Sequence, residues 1–160
     1  MEEGLEVRVG RLLRQQGWTL ALGESCTGGL VGHRITNVPG SSDYFLGGVV
    51  AYAYEAKERL LHVRHETLCR HGAVSRETVL EMAKGARVVL GADVGLAITG
   101  IAGPGGGLPE KPVGLMWIAV STRRAEVAES HIFSGDRLSV KEQSSDAALA
   151  LLARVLEGEA

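Results

Sequence analysis

A chain of 160 residues can bury one sizeable core without disulfides or metal, because a domain of this size hides roughly 70% of the surface its unfolded form exposes. Hydrophobic residues make up 45% and charged residues 22%, the balance of a globular protein rather than a disordered or membrane-embedded one. A formal net charge of -2 and an aromatic content of 4% argue against a general polyanion binder or a base-stacking surface, so nucleic acid is not expected as a partner.

Met1-Glu-Glu-Gly4 is acidic and leads into an amphipathic segment, so neither a signal peptide nor a membrane span is expected and the location is read as cytoplasmic. Leu5, Val9, Leu12 and Leu13 recur at helical spacing, and Gly17 closes this first helix. Trp18 to Gly23 predicts a buried strand that breaks at Glu24. Ser25, Cys26 and Thr27 follow, on a Gly28-Gly29 turn that opens a helix running to Thr36. After the loop Pro39-Gly-Ser-Ser42, the near-continuous apolar run from Phe45 to Tyr54 suits a strand covered on both faces. Short helices are expected at Glu55 to Leu61 and Glu66 to Arg70, then a long one capped by Ser75 and ended by Gly91. Asp93 to Thr99 reads as another buried strand, emptying into the glycine-rich loop Gly100 to Gly107. Strands Val113 to Ser121 and Ala125 to Phe133 form a hairpin about Thr122-Arg-Arg124, and a helix from Arg137 to Leu156 completes the pattern.

Strands alternating with helices predict one domain over residues 1–160, a three-layer α/β/α sandwich whose late hairpin makes the sheet mixed but mostly parallel. Ligands of such folds gather at the carboxyl ends of strands. Three ends carry unusual residues: Ser25, the span Tyr52 to Lys57, and the span Thr99 to Gly107.

Ser25 suits a nucleophile at a helix start, where unpaired N–H groups stabilise an oxyanion or phosphate, and equally suits an ordinary N-cap. A serine hydroxyl needs a base. His33, His62, His65, His71 and His131 are scattered without an orienting carboxylate, and His62 with His65 lacks a third ligand, so no metal is expected. Lys57 is the other candidate, since partial burial lowers a lysine pKa, and Tyr52 can relay a proton or fix the lysine; a solvated lysine beside Glu55 or Glu58 and a rim tyrosine are the plain alternatives. The loop after Thr99 can turn its N–H groups toward phosphate, but it has neither a Walker A ending nor dinucleotide spacing, and a proline-tied surface loop is the competing account. Arg137 is either an anion clamp or an exposed arginine behind an Asp136 cap. Cys26 and Cys69 are too dissimilar in setting to predict a disulfide.

In order along the chain, Glu24-Ser-Cys-Thr-Gly-Gly29, Phe45-Leu-Gly-Gly-Val-Val-Ala-Tyr52, Glu55-Ala-Lys57, His71-Gly-Ala-Val-Ser75, Ile98-Thr-Gly-Ile-Ala-Gly-Pro104, Lys111-Pro-Val-Gly114 and Gly135-Asp-Arg137 resemble the C-terminal domain of the competence/damage-inducible protein CinA. The resemblance covers about Leu5 to Leu156. It implies a serine amidohydrolase of the nicotinamide mononucleotide (NMN) deamidase type, needing no cofactor, with Ser25 as nucleophile, Lys57 as base, Tyr52 assisting, and Thr99 and Arg137 in the pocket. On that basis the N–H groups of Cys26, Thr27, Gly28 and Gly29 are expected to hold the oxyanion. The loop with Gly100, Gly103 and Gly106 is expected to hold the 5′-phosphate together with Arg137. Related proteins are often dimers and often carry an N-terminal domain similar to molybdopterin-biosynthesis proteins, which has no counterpart in these 160 residues. Two departures stand out: Tyr54 where the family commonly has Asn, and Lys141 where arginine is expected. The rival readings are a non-catalytic pyridine-nucleotide-binding or competence-related partner module, and a cysteine hydrolase using Cys26.

Overall fold

The computed structural model describes residues 2–160. Its centre is strand β1 (Leu20–Glu24), buried at every position. β1 pairs in parallel with β2 (Phe45–Val50) on one side and β3 (Val94–Gly100) on the other. β3 pairs antiparallel with β4 (Leu115–Thr122), and β4 with β5 (Glu126–Ile132), in the sheet order β2-β1-β3-β4-β5. Only β4 is reversed, so the sheet is mixed with most strands sharing one direction.

Period-two alternation sorts large from small side chains between the two faces. Leu20, Leu22, Leu96, Ile98, Ile118 and Val120 face one core, built with α1 (Leu5–Gln16), α2 (Leu30–Thr36) and α6 (Arg137–Leu156). The intervening Ala21, Ala97 and Ala119 face a second core, against α3 (Tyr54–Leu61), α4 (His65–His71) and α5 (Arg76–Leu90). The small face lets α5 lie close to the sheet: a Cβ on Gly95 would sit 2.1 Å from the Ala83 carbonyl oxygen. This is the expected three-layer sandwich.

Both long helices start where cap chemistry predicts, with Ser75 accepting from the Thr78 N–H and Asp136 from the Ser139 N–H. Three local expectations are corrected. β2 is an edge strand with alternating exposure rather than one covered on both faces, and it ends at Val50, four residues before Tyr54. It has a neighbour on one side only, leaving Leu46 and Val50 open to solvent. The helix after Ser25 starts at Leu30 rather than Gly28, because residues 25–29 are used in a separate turn. The next helix begins at Tyr54, one residue before the expected Glu55, so that Lys57 completes its first turn.

Candidate active site

Ser25 leaves the end of β1 with its N–H bonded to the Ile98 carbonyl of β3 (3.0 Å), which fixes the start of the turn to the sheet. The turn then closes as the Gly28 N–H donates to the Ser25 carbonyl (3.1 Å). Glu24 organises it from beneath. Its buried carboxylate accepts from the Thr27 hydroxyl (2.6 Å) and from the N–H groups of Gly29 (3.3 Å), Val31 (3.0 Å) and Gly32 (2.9 Å), satisfying the open end of α2. Ser25 is therefore not the helix cap, and its hydroxyl is left for other work.

That hydroxyl faces Lys57. The ammonium nitrogen lies 2.9 Å from Ser25 Oγ, 2.9 Å from the Ala51 carbonyl oxygen and 3.0 Å from the Tyr52 carbonyl oxygen. Lys57 is wholly buried, and desolvation pulls its pKa down from 10.5 to about 8. Two of its three neighbours can only accept hydrogen bonds. A neutral amine spends its two N–H bonds on those carbonyls and turns its lone pair toward the Ser25 hydroxyl, which is the geometry of a general base.

Ser25 and Lys57 sit in a cavity of about 260 Å³ with Cys26, Tyr52, Thr99, Gly100, Gly103, Gly106 and Arg137 on its walls. The expected residues converge, but several serve differently than the sequence implies. The Tyr52 hydroxyl does not approach Lys57: the side chain is 60% exposed, its hydroxyl accepts from Arg137 Nη2 (3.1 Å), and the lysine is held by the Tyr52 main-chain carbonyl. Arg137 Nη1 donates to the Gly103 carbonyl (2.6 Å), so the guanidinium straps the glycine loop to Tyr52. Thr99 is buried and donates to the Ala73 carbonyl (3.0 Å). Thr27, Gly28 and Gly29 do not line the cavity, and the N–H groups of Gly28 and Gly29 are already spent. Cys26 alone of that expected set borders the cavity, and its N–H has no protein acceptor among the described residues. Its thiol is buried 3.3 Å from Met116 Sδ, and desolvation pushes its pKa from 9.0 up to about 12, the opposite of an activated nucleophile. Among the described residues no histidine borders the cavity, no group of acidic, His and Cys side chains converges to hold a metal, and no helix is long and apolar enough to cross a membrane.

The family model for the CinA C-terminal domain matches residues 2–156. The chain belongs to the CinA family. It is 49% identical over 158 residues to a putative competence-damage inducible protein of Moorella thermoacetica, covering 99% of this chain and 38% of that protein. It is also 49% identical over 152 residues to a CinA-like protein of Geobacter sulfurreducens, covering 95% of this chain and 37% of the relative. The chain thus spans less than two fifths of the length of these curated relatives. Crystal structures align over nearly all of it: a CinA superfamily protein of Klebsiella pneumoniae has a TM-score of 0.93 at 38% identity, covering 96% of each chain. The competence/damage inducible protein CihA of Agrobacterium tumefaciens has a TM-score of 0.89 at 36% identity, covering 98% of this chain and 99% of its own.

Within this CinA domain two contributors escape sequence reasoning. Glu24 is one, although a carboxylate ending an apolar strand ahead of a Ser/Thr/Gly turn is a usable signal. The other is the wall formed by Ala73 and Val74, which nothing in residue type marks. The departure at Tyr54 supports that wall without lining the cavity: its hydroxyl accepts the Ala73 N–H (3.3 Å), on the residue whose carbonyl takes the Thr99 hydroxyl. Lys141 stands behind the Ser25 turn, with its ammonium 4.0 Å from where a Cβ on Gly28 would lie, and does not border the cavity.

Proposed function

We propose that this CinA domain is an NMN amidohydrolase, releasing ammonia and nicotinate mononucleotide through Ser25 as nucleophile and Lys57 as base. The observation that carries the reading is the 2.9 Å approach of a buried, carbonyl-anchored Lys57 amine to the Ser25 hydroxyl. Lys57 takes the hydroxyl proton as Ser25 Oγ attacks the carboxamide carbon. The Cys26 N–H, on the cavity wall, stabilises the developing oxyanion, a contribution of about 3 kcal/mol for a well-aimed donor. Lys57 then gives its proton to the leaving nitrogen, ammonia departs, and water attacks the acyl-enzyme with the same lysine as base.

The cavity, at about 260 Å³, lies just under the roughly 300–1,000 Å³ of drug-sized ligand sites, so it suits the nicotinamide end with the phosphate at the rim. There Arg137 retains three of its five N–H donors beyond those given to Gly103 and Tyr52. The glycine loop adds main-chain donors at Gly103, Gly105 and Gly106, all on the cavity wall. A phosphate found away from both in an NMN complex would overturn this orientation.

Ammonia release from NMN tests the reaction. Ser25→Ala and Lys57→Ala are expected to lose about a hundredfold or more in kcat/KM, whereas Cys26→Ala keeps activity within a few-fold, roughly. Activity surviving Ser25→Ala would remove the serine mechanism. NMN binding without turnover by the unaltered protein would make the domain a binding module instead.

A further inference from the structure

Outside the cavity, three side chains of α3 and α4 form a second connected set. Glu58 Oε1 lies 2.6 Å from His65 Nδ1, and Cys69 Sγ lies 3.3 Å from His65 Nε2. A carboxylate only accepts, so Nδ1 carries the imidazole proton and Nε2 turns its lone pair to the thiol. His65 and Cys69 are four residues apart on α4 and share a face, while Glu58 reaches the ring from α3. A nucleophile within reach of a base that a third group orients is the arrangement that activates a thiol. Cys69 is exposed, and it borders an open groove of about 920 Å³. On that groove Arg70 is paired with Glu66 and Glu77 lies 3.7 Å from His71, while among the described residues Arg76 and Lys111 have no ion-pair partner and face one unpaired carboxylate, Glu110. The groove adjoins the Ser25 cavity through Val74, which borders both.

We propose that Cys69 is a thiol-exchange site, S-thiolated by small carboxylate-bearing disulfides through the Glu58, His65 and Cys69 relay. His65 Nε2 takes the thiol proton, and the thiolate electron pair forms a new S–S bond to one sulfur of the disulfide. The old S–S bond breaks, its electron pair leaves on the other sulfur, and that thiolate recovers the proton from His65. Cys69 is oxidised and the departing half of the disulfide is reduced. The groove cations favour an anionic disulfide over a cationic one. None of this depends on the NMN reading, because the readout is the mass of the adduct.

The test uses the folded full chain with oxidised glutathione, followed by intact mass and peptide mapping, with cystamine as the cationic comparison. A single glutathione adduct is expected on Cys69, absent in Cys69→Ser, with Cys26 unmodified. His65→Asn is expected to slow the reaction about tenfold or more, and Glu58→Gln by a smaller factor. Oxidised glutathione should outpace cystamine by roughly threefold at low salt and lose that lead at high salt. Glu58→Gln preserves side-chain shape and decides the relay should His65→Asn lower the melting temperature. Equal rates in the wild type and the relay variants, a first adduct on Cys26, or cystamine reacting as fast as oxidised glutathione would overturn the assignment.

Discussion

Burying an ammonium among carbonyls and apolar side chains is costly, and Lys57 lowers the cost by holding its proton weakly. Desolvation is the first cause of its fall to about 8, opposed by the neighbouring Cys26 thiol, which favours the charged amine. The neutral form of the Lys57 amine is lost as pH drops below that value. Ammonia release is expected to rise about fiftyfold from pH 6 to 8 and to level off above it. A flat profile over that range would exclude Lys57 as the base. The same shift has a stability consequence of definite sign. Between the folded value near 8 and the unfolded value of 10.5, the unfolded chain binds more protons, so folding gains as pH rises through that window. Below pH 8 both states are protonated and the penalty is complete. The stability of the wild type relative to Lys57→Met should therefore improve between pH 8 and 10.5, by up to about 3 kcal/mol, in paired urea unfolding series.

At the scale of elements, the turn between β1 and α2 depends on Glu24 more than on any residue in the turn itself. Glu24→Ala would leave the N–H groups of Val31 and Gly32 and the Thr27 hydroxyl without their acceptor in a largely buried place. The expected cost is about 3 kcal/mol, with Glu24→Gln losing roughly half as much because one acceptor oxygen remains. Chemical denaturation measures both, and equal stabilities would show that α2 is capped by solvent. This turn also marks where sequence reading runs out. Cap signals are local and legible, so the starts at Arg76 and Arg137 follow from Ser75 and Asp136. Glu24 acts on residues up to eight positions away, and only the fold of the turn brings them to it. The apolar run from Phe45 misleads for a similar reason: whether a strand is central or at an edge depends on which partners the rest of the chain supplies. The candidate pair Ser25 and Lys57 is legible as chemistry, but its contact requires β2 to lie beside β1 rather than elsewhere in the sheet.

Across the whole molecule, the site is assembled where three parallel strands end: β1 delivers Ser25, β2 leads into Tyr52 and Lys57, and β3 delivers Thr99 and the glycine loop. α6 closes it by starting at Arg137, from the layer opposite α3. The position of Lys57 thus depends on how tightly α3 is wedged between the sheet and α5. On the sheet side, a Leu61 methyl already lies 3.1 Å from where a Cβ on Gly23 would be, so α3 has no room to retreat. On the α5 side, a Cβ on Gly85 would lie 1.8 Å from the Leu61 carbonyl oxygen, a main-chain atom that cannot rotate away. Gly85→Ala must therefore push α3 and α5 apart, and α3 carries Lys57, the proposed base. The expected result is a loss of about 2 kcal/mol in stability together with a tenfold or greater fall in kcat/KM for NMN, since small misplacements of a reacting group are costly. Val88→Ala, on the exposed side of the same helix, should change neither. Both quantities are read on protein shown to be folded at the assay temperature. Lower stability with wild-type turnover would mean that α5 yields alone, and that the Ser25 to Lys57 distance is held by the Ala51 and Tyr52 carbonyls without help from the second core.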